Sequence, residues 1–73
     1  GQVAAPFSGT VTQKLAVGDT VEAGQPVATI EAMKMEAAIT APVNGRVARL
    51  AFEGARGVES GDLVLVIEET PAA

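Results

Sequence analysis

The sequence points to an all-β domain, a flattened barrel or sandwich of two four-stranded antiparallel sheets with approximate internal two-fold symmetry. Three observations lead there: one pattern is written twice along the chain, turn residues recur at strand-length intervals, and the hydrophobic residues are mostly small and branched. Ala5-Pro6-Phe7-Ser8-Gly9-Thr10-Val11 returns as Ala41-Pro42-Val43-Asn44-Gly45-Arg46-Val47, an offset of 36. Val21-Glu22-Ala23-Gly24-Gln25-Pro26-Val27 and the residues through Glu31 return as Val58 to Glu68, now offset by 37. One residue has therefore been inserted between the two blocks. Matching halves in the same order imply a pseudo-two-fold axis through one shared core.

Along the chain, each half reads as short strands punctuated by turns. Ser8-Gly9 and Asn44-Gly45 fall where tight turns are expected, since Asn-Gly tolerates the positive φ of short hairpins. Gly18-Asp19, Gly24-Gln25, Gly61-Asp62 and the stretch from Gly54 to Gly57 are further turn candidates. The runs between them are about five to seven residues, the usual length of a strand. Thr10-Val11-Thr12 alternates as a half-buried strand should, whereas Leu63 to Ile67 is continuously apolar and reads as a strand buried on both faces. Four strands per half complete the two sheets.

Glu31 to Ala38 is the exception, because nearly every residue in it is a strong helix former. Two considerations favour a hairpin instead. Eight residues are too few for propensity to sustain a helix, which is marginal in isolation below about 12 residues. The segment also joins the two halves, between Ala28-Thr29-Ile30 and Ile39-Thr40, where one strand must end and another begin.

Size and composition exclude several function classes. A chain of 73 residues makes one small domain, burying about 60% of the surface its unfolded form exposes. With 48% hydrophobic and 3% aromatic residues, its core must be Val, Ile, Leu, Ala and two Phe, which suits strands. That leaves no room for a deep catalytic cleft. Cysteine and histidine are both absent, removing disulfides, thiolate metal sites and the commonest general base; neither catalytic nor metal-binding residues are expected. Absent cysteine also fits a reducing compartment, the cytoplasm or the mitochondrial matrix. The net charge of −4, from nine acidic and five basic residues, is spread along the chain, with no basic run for nucleic acid or an anionic membrane. The longest apolar run, Leu63 to Ile67, is five residues, against about 20 for a membrane span. No signal peptide is visible. Beginning at Gly1, the chain reads as a piece of a longer polypeptide, with residues 1–69 as the domain and 70–73 as a flexible tail.

The junction is where the chemistry concentrates. A lysine at a loop tip is ordinarily just a solvated side chain, and a methionine is as readily core filling as anything else. Here both methionines of the chain, Met33 and Met35, flank Lys34. In a two-residue turn both cannot easily point inward beside an exposed lysine, so they favour a surface recognised by another protein, a use to which flexible Met is suited. Glu31 and Glu36 would lie opposite each other in such a hairpin, where like charges are mildly unfavourable. They are either solvated flanks or marks that identify the correct lysine.

Ala32-Met33-Lys34-Met35, with Glu31 and Glu36 around it, resembles the signature of the biotinyl domains of biotin-dependent carboxylases. The similarity runs from about Val3 to Glu68 and includes the proline-glycine start of each half and the Gly18-Asp19-Thr20-Val21…Gly24 block. It implies the flattened-barrel biotinyl/lipoyl fold, with covalent biotin on Lys34 at the hairpin tip. Ala32, Met33 and Met35 are then the flanking motif, and Glu31 and Glu36 contribute to recognition by a biotin protein ligase. A lysine amine is mostly protonated at neutral pH and a poor nucleophile, so that ligase must supply the catalysis of amide formation. The implied function is carboxyl carriage from a biotin carboxylase site to a carboxyltransferase site of the parent enzyme, a multidomain carboxylase of the ligase class, with no catalysis by the carrier itself. Val11 to Val21 nearly matches Val47 to Val58 in length, leaving no space for the protruding loop of bacterial multi-subunit acetyl-CoA carboxylase carriers. The resemblance is therefore closer to fused carriers of the acyl-CoA carboxylase or pyruvate carboxylase type, and most of all to the C-terminal domain of pyruvate carboxylase. Two alternatives share the fold. Lipoyl domains of 2-oxo acid dehydrogenase complexes usually place Asp before the lysine and lack the paired methionines. Cofactor-free lipoyl-like interaction modules interrupt the hairpin with a helical insertion that Met33-Lys34 leaves no room for.

Overall fold

The computed structural model describes residues 1–70, which form eight strands and no helix. They are β1 (Gln2–Ala4), β2 (Gly9–Gln13), β3 (Thr20–Val21), β4 (Pro26–Ala32), β5 (Met35–Thr40), β6 (Gly45–Leu50), β7 (Ala55–Val58) and β8 (Leu63–Glu69). Two four-stranded antiparallel sheets result, ordered β1-β8-β6-β3 and β5-β4-β2-β7. Replacing each strand of the first half by its counterpart in the second converts one order into the other. The two-fold read from the sequence therefore exchanges the sheets, and each sheet takes two strands from each half. Neither half can bury its apolar face without the other.

Between the sheets lies a core of aliphatic side chains plus Phe52, with Phe7, Leu15 and Val43 packed against its margin. No polar or charged residue is buried among the described residues. Val11 alternates with exposed Thr10 and Thr12, as expected. Strand β8 is explained differently from the double-sided burial expected of it. Val3 pairs with Leu65 and Ala4 with Leu63, so Val64 has no partner of its own on β1. This is a β-bulge, which turns two successive side chains inward, and Val64 and Leu65 are both fully buried. The same device recurs at the equivalent place in β4: Pro26 pairs with Thr40 and Ala28 with Ile39, leaving Val27 as the extra residue. In each half the bulged carbonyl accepts a backbone hydrogen bond from the residue that follows the neighbouring strand or strand end, Lys14 N–H to Val27 O (3.3 Å) and Ala51 N–H to Val64 O (3.0 Å). Successive burial is thus produced by bulges, with each sheet still presenting one face to water.

The inserted residue of the second half is also located. Val47 pairs with Ile67 and Arg49 with Val66, so Ala48 is the odd residue; in the first half Val11 and Thr12 pair with Ile30 and Thr29 without interruption. An extra residue absorbed as a bulge leaves the inward and outward faces of the rest of β6 in register.

The turn glycines divide into two kinds. Gly18, Gly24, Gly54 and Gly61 have φ between +72° and +97°, as expected of turn positions. Gly9 and Gly45 do not. They begin β2 and β6, and a Cβ on Gly9 would lie 2.5 Å from the Glu31 carbonyl oxygen, while one on Gly45 would strike that of Glu68. Their role is close backbone approach rather than a left-handed turn. Gly57 lies within β7 and not in a turn. Of the expected tail, residues 71–73 lie outside the described residues; the Thr70 amide donates to Asn44 O at 3.1 Å. No helix of the described residues is long and apolar enough to cross a membrane.

Candidate functional site

The junction segment is a hairpin, the arrangement favoured by its position between the halves. Strand β4 runs to Ala32 and β5 begins at Met35, so only Met33 and Lys34 form the turn. Ala32 pairs with Met35, Glu31 with Glu36, and Ile30 with Ala37. Tertiary pairing has overridden the helix propensity of every residue here. No non-glycine residue among those described has positive φ, so the tip is neither a type I′ nor a type II′ turn, both of which need it.

Alternation along the hairpin assigns each side chain. Ile30 is fully buried and Ala37 packs against the core margin, so their neighbours Glu31 and Glu36 point to the outer face, where both are exposed. Ala32 and Met35 return to the inward parity, but here the hairpin has run past the core: Met35 is 58% exposed. Met33, on the turn itself, is 96% exposed. Of the three exposed large hydrophobic residues among those described, Met33, Met35 and Val17, two therefore flank Lys34. Core filling is excluded for both methionines.

Lys34 is exposed and takes part in no ion pair among the described residues, although Glu31 and Glu36 stand nearby. The tip overlooks a shallow open depression bordered by Ser8, just before β2, by Thr10 within it and by the two glutamates. Thr10 is the cross-strand neighbour of Glu31, which continues the row to Glu36. All six residues singled out from the sequence, Glu31, Ala32, Met33, Lys34, Met35 and Glu36, are thus in one hairpin. Sequence reasoning assigns Gly9 to a turn and misses its contact with the hairpin; a glycine in sequence looks the same whether it supplies a turn or makes room for a neighbouring carbonyl.

Chemically, the arrangement offers a primary amine on a two-residue tip, exposed and set between apolar side chains. Such an amine suits acylation by a second protein that covers the methionines. The neighbouring carboxylates do not converge with it into an acid–base set.

A family model for biotin–lipoyl domains, described as biotin-requiring enzymes, matches residues 1–67. Mouse mitochondrial pyruvate carboxylase is 41% identical over 69 residues, covering 93% of this chain and 6% of that protein. The biotin carboxyl carrier protein of acetyl-CoA carboxylase from Solanum lycopersicum is 37% identical over 70 residues, covering 94% of this chain and 100% of the relative. Among solved structures, a single-chain, multi-domain long-chain acyl-CoA carboxylase superposes with a TM-score of 0.87 at 31% identity, covering 96% of this chain and 7% of that one. The chain belongs to the biotin–lipoyl family. Within it, this is a biotinyl carrier domain of the biotin-dependent carboxylase type, whose cofactor is covalently attached biotin, as the Ala32–Met35 motif implied. It spans about 6–7% of the large carboxylases it resembles.

Proposed function

We propose that Lys34 is the residue that bears biotin, and that residues 1–69 act as a mobile carboxyl carrier between the biotin carboxylase and carboxyltransferase sites of a larger enzyme. One observation carries the assignment: the lysine occupies the two-residue tip of the β4–β5 hairpin, exposed and without an ion pair among the described residues, at the end of a strand whose base is fully buried. The other lysine, Lys14, follows β2 beside the core, with its backbone amide committed to Val27 O.

Held on Lys34 through an amide, biotin would supply a ureido nitrogen able to carry a carboxyl group. The protein supplies position. Val27, Ala28 and Ile30 are fully buried, so the hairpin is anchored within four residues of the lysine. Amide formation converts a charged amine into a neutral link on a flexible side chain. Tethering raises the local concentration of the attached group at each active site that the arm can reach. The chain contains neither histidine nor cysteine, and the catalysis of both loading and carboxyl transfer belongs to partners: a biotin protein ligase for the first, the parent carboxylase for the second. In this reading Met33 and Met35 are contacts for those partners, while Glu31 and Glu36 mark the hairpin for the ligase. Pyruvate and acyl-CoA carboxylases are the parent types favoured by the relatives; the compartment is the cytoplasm or, for a mitochondrial parent, the matrix.

Incubation with a biotin protein ligase, ATP and biotin should add one biotin, read by intact mass and streptavidin capture. Lys34→Arg should abolish the addition and Lys14→Arg should not. Label retained on the Lys34→Arg protein would refute the assignment, and lipoyl in place of biotin on protein from its native host would favour the lipoyl reading.

A further inference from the structure

The oxidisable side chains of this protein are distributed in an unusual way. It has no Cys, Trp, Tyr or His, and two Met. Both methionines sit beside Lys34, one on the turn at 96% exposure and the other next to it at 58%. The core consists of aliphatic residues and Phe52, with no sulfur in it. A mild oxidant that attacks thioethers therefore has two targets, both at the site and neither in the packing.

We propose that Met33 and Met35 form a reversible oxidation site that controls acylation of Lys34 without altering the fold. With hydrogen peroxide as oxidant, each thioether sulfur loses two electrons and gains one oxygen as the peroxide O–O bond breaks; the second peroxide oxygen leaves as water. The product sulfoxides are polar and chiral where the reduced side chains were apolar and flexible. A partner surface shaped to cover two thioethers must then desolvate two strong acceptors without matching donors. Reduction reverses the step: two methionine sulfoxide reductases, one for each sulfoxide epimer, remove the oxygen as water while a dithiol becomes a disulfide. Met33 should oxidise first, being the more exposed. The consequence rests on the reading of Lys34 as the acylated residue.

The test uses the 73-residue chain. Protein is treated with peroxide, which is then destroyed by catalase before biotin protein ligase, ATP and biotin are added, so the ligase never meets the oxidant. Peptide mass spectrometry should place one oxygen on each methionine. Circular dichroism and the melting temperature should be unchanged, while the initial loading rate falls by about tenfold or more, the scale of burying one unpartnered polar group. A Met33→Leu/Met35→Leu variant should keep its own loading rate, whatever that is, after the same treatment, and the two epimer-specific reductases with dithiol should restore the native protein. Full-rate loading of the doubly oxidised protein, or an equal loss in the double-leucine variant, would overturn the proposal alone. Failure of untreated protein to load, or loading of Lys34→Arg, would instead remove the reading on which it rests.

Discussion

Replacing Gly9 by alanine places a methyl carbon 2.5 Å from the Glu31 carbonyl oxygen, 3.0 Å from its carbon and 3.3 Å from Ile30 Cγ1. Two of these three atoms are backbone, so no side-chain rotation relieves the contact. Reaching the 3.4 Å lower bound of ordinary packing requires β2 and β4 to separate locally by about 0.9 Å. Overpacking of this kind costs about 1–3 kcal/mol, offset by about 0.4–1 kcal/mol from the stiffer unfolded chain. A net loss of about 1–2 kcal/mol should lower the melting temperature by roughly 4–16 °C in a domain of this size. Gly45→Ala repeats the experiment at the symmetry-related position, where the methyl would meet the Glu68 carbonyl and Ile67 Cγ2 still more closely, and should destabilise at least as much. Thermal unfolding by circular dichroism measures both. The two variants differ in what they displace: Gly9→Ala pushes on the strand that carries the Lys34 tip, Gly45→Ala on β8. Loading by the ligase, compared at a temperature where both are folded, should therefore slow more for Gly9→Ala. An unchanged or raised melting temperature for Gly9→Ala would refute the close-approach account, and equal loading rates would confine Gly9 to fold stability.

Two other substitutions separate stability from recognition. Glu36→Lys turns the directly opposed Glu31–Glu36 pair into an attractive one, worth about 0.2–1 kcal/mol at an exposed site; the melting temperature should hold or rise slightly while ligase loading falls, and undiminished loading would show the glutamates to be solvated flanks only. Gly57→Ala should stabilise by about 0.4–1 kcal/mol in urea denaturation, because Gly57 lies in an edge strand, lacks positive φ and has nothing within 4 Å of where the new methyl would sit; a loss of stability would mean that its backbone is more constrained than this geometry implies.

The repeat made most of this architecture legible, since two matching halves of alternating runs and turns leave few ways to share a core. It also pointed to the candidate site, because the junction of the halves favoured a hairpin over the helix that propensity suggested. What stayed hidden depends on features that a one-dimensional pattern does not distinguish. Val64-Leu65 is apolar in succession whether both faces are covered or a bulge turns both residues inward, and here the bulge at Val64 is the cause. Gly9 and Gly45 look like turn glycines until the facing carbonyls of Glu31 and Glu68 are in place. The single inserted residue could lie anywhere between the two matched blocks; only pairing of Val47 with Ile67 and Arg49 with Val66 assigns it to Ala48.

The pseudo-two-fold also bears on why the proposed site appears once in a molecule built twice. It carries β4 onto β8 and β5 onto β1, and those image strands pair with each other just as β4 and β5 do. The image pair has no turn joining it, because β8 and β1 are not consecutive in the chain. Only the β4–β5 pair is closed by a tip, and only there can a side chain be presented beyond the core on two connected strands. The buried residues support this asymmetry without sharing it: Val27 and Val64, Ala28 and Leu65, Ile30 and Ile67 are equivalent and all buried. Past them the halves diverge, with Ala32, Met33, Lys34 and Met35 continuing one hairpin into solvent. A symmetric, apolar base thus holds a single asymmetric tip, as the proposed arm on Lys34 would require: rigid at its root and accessible at its end.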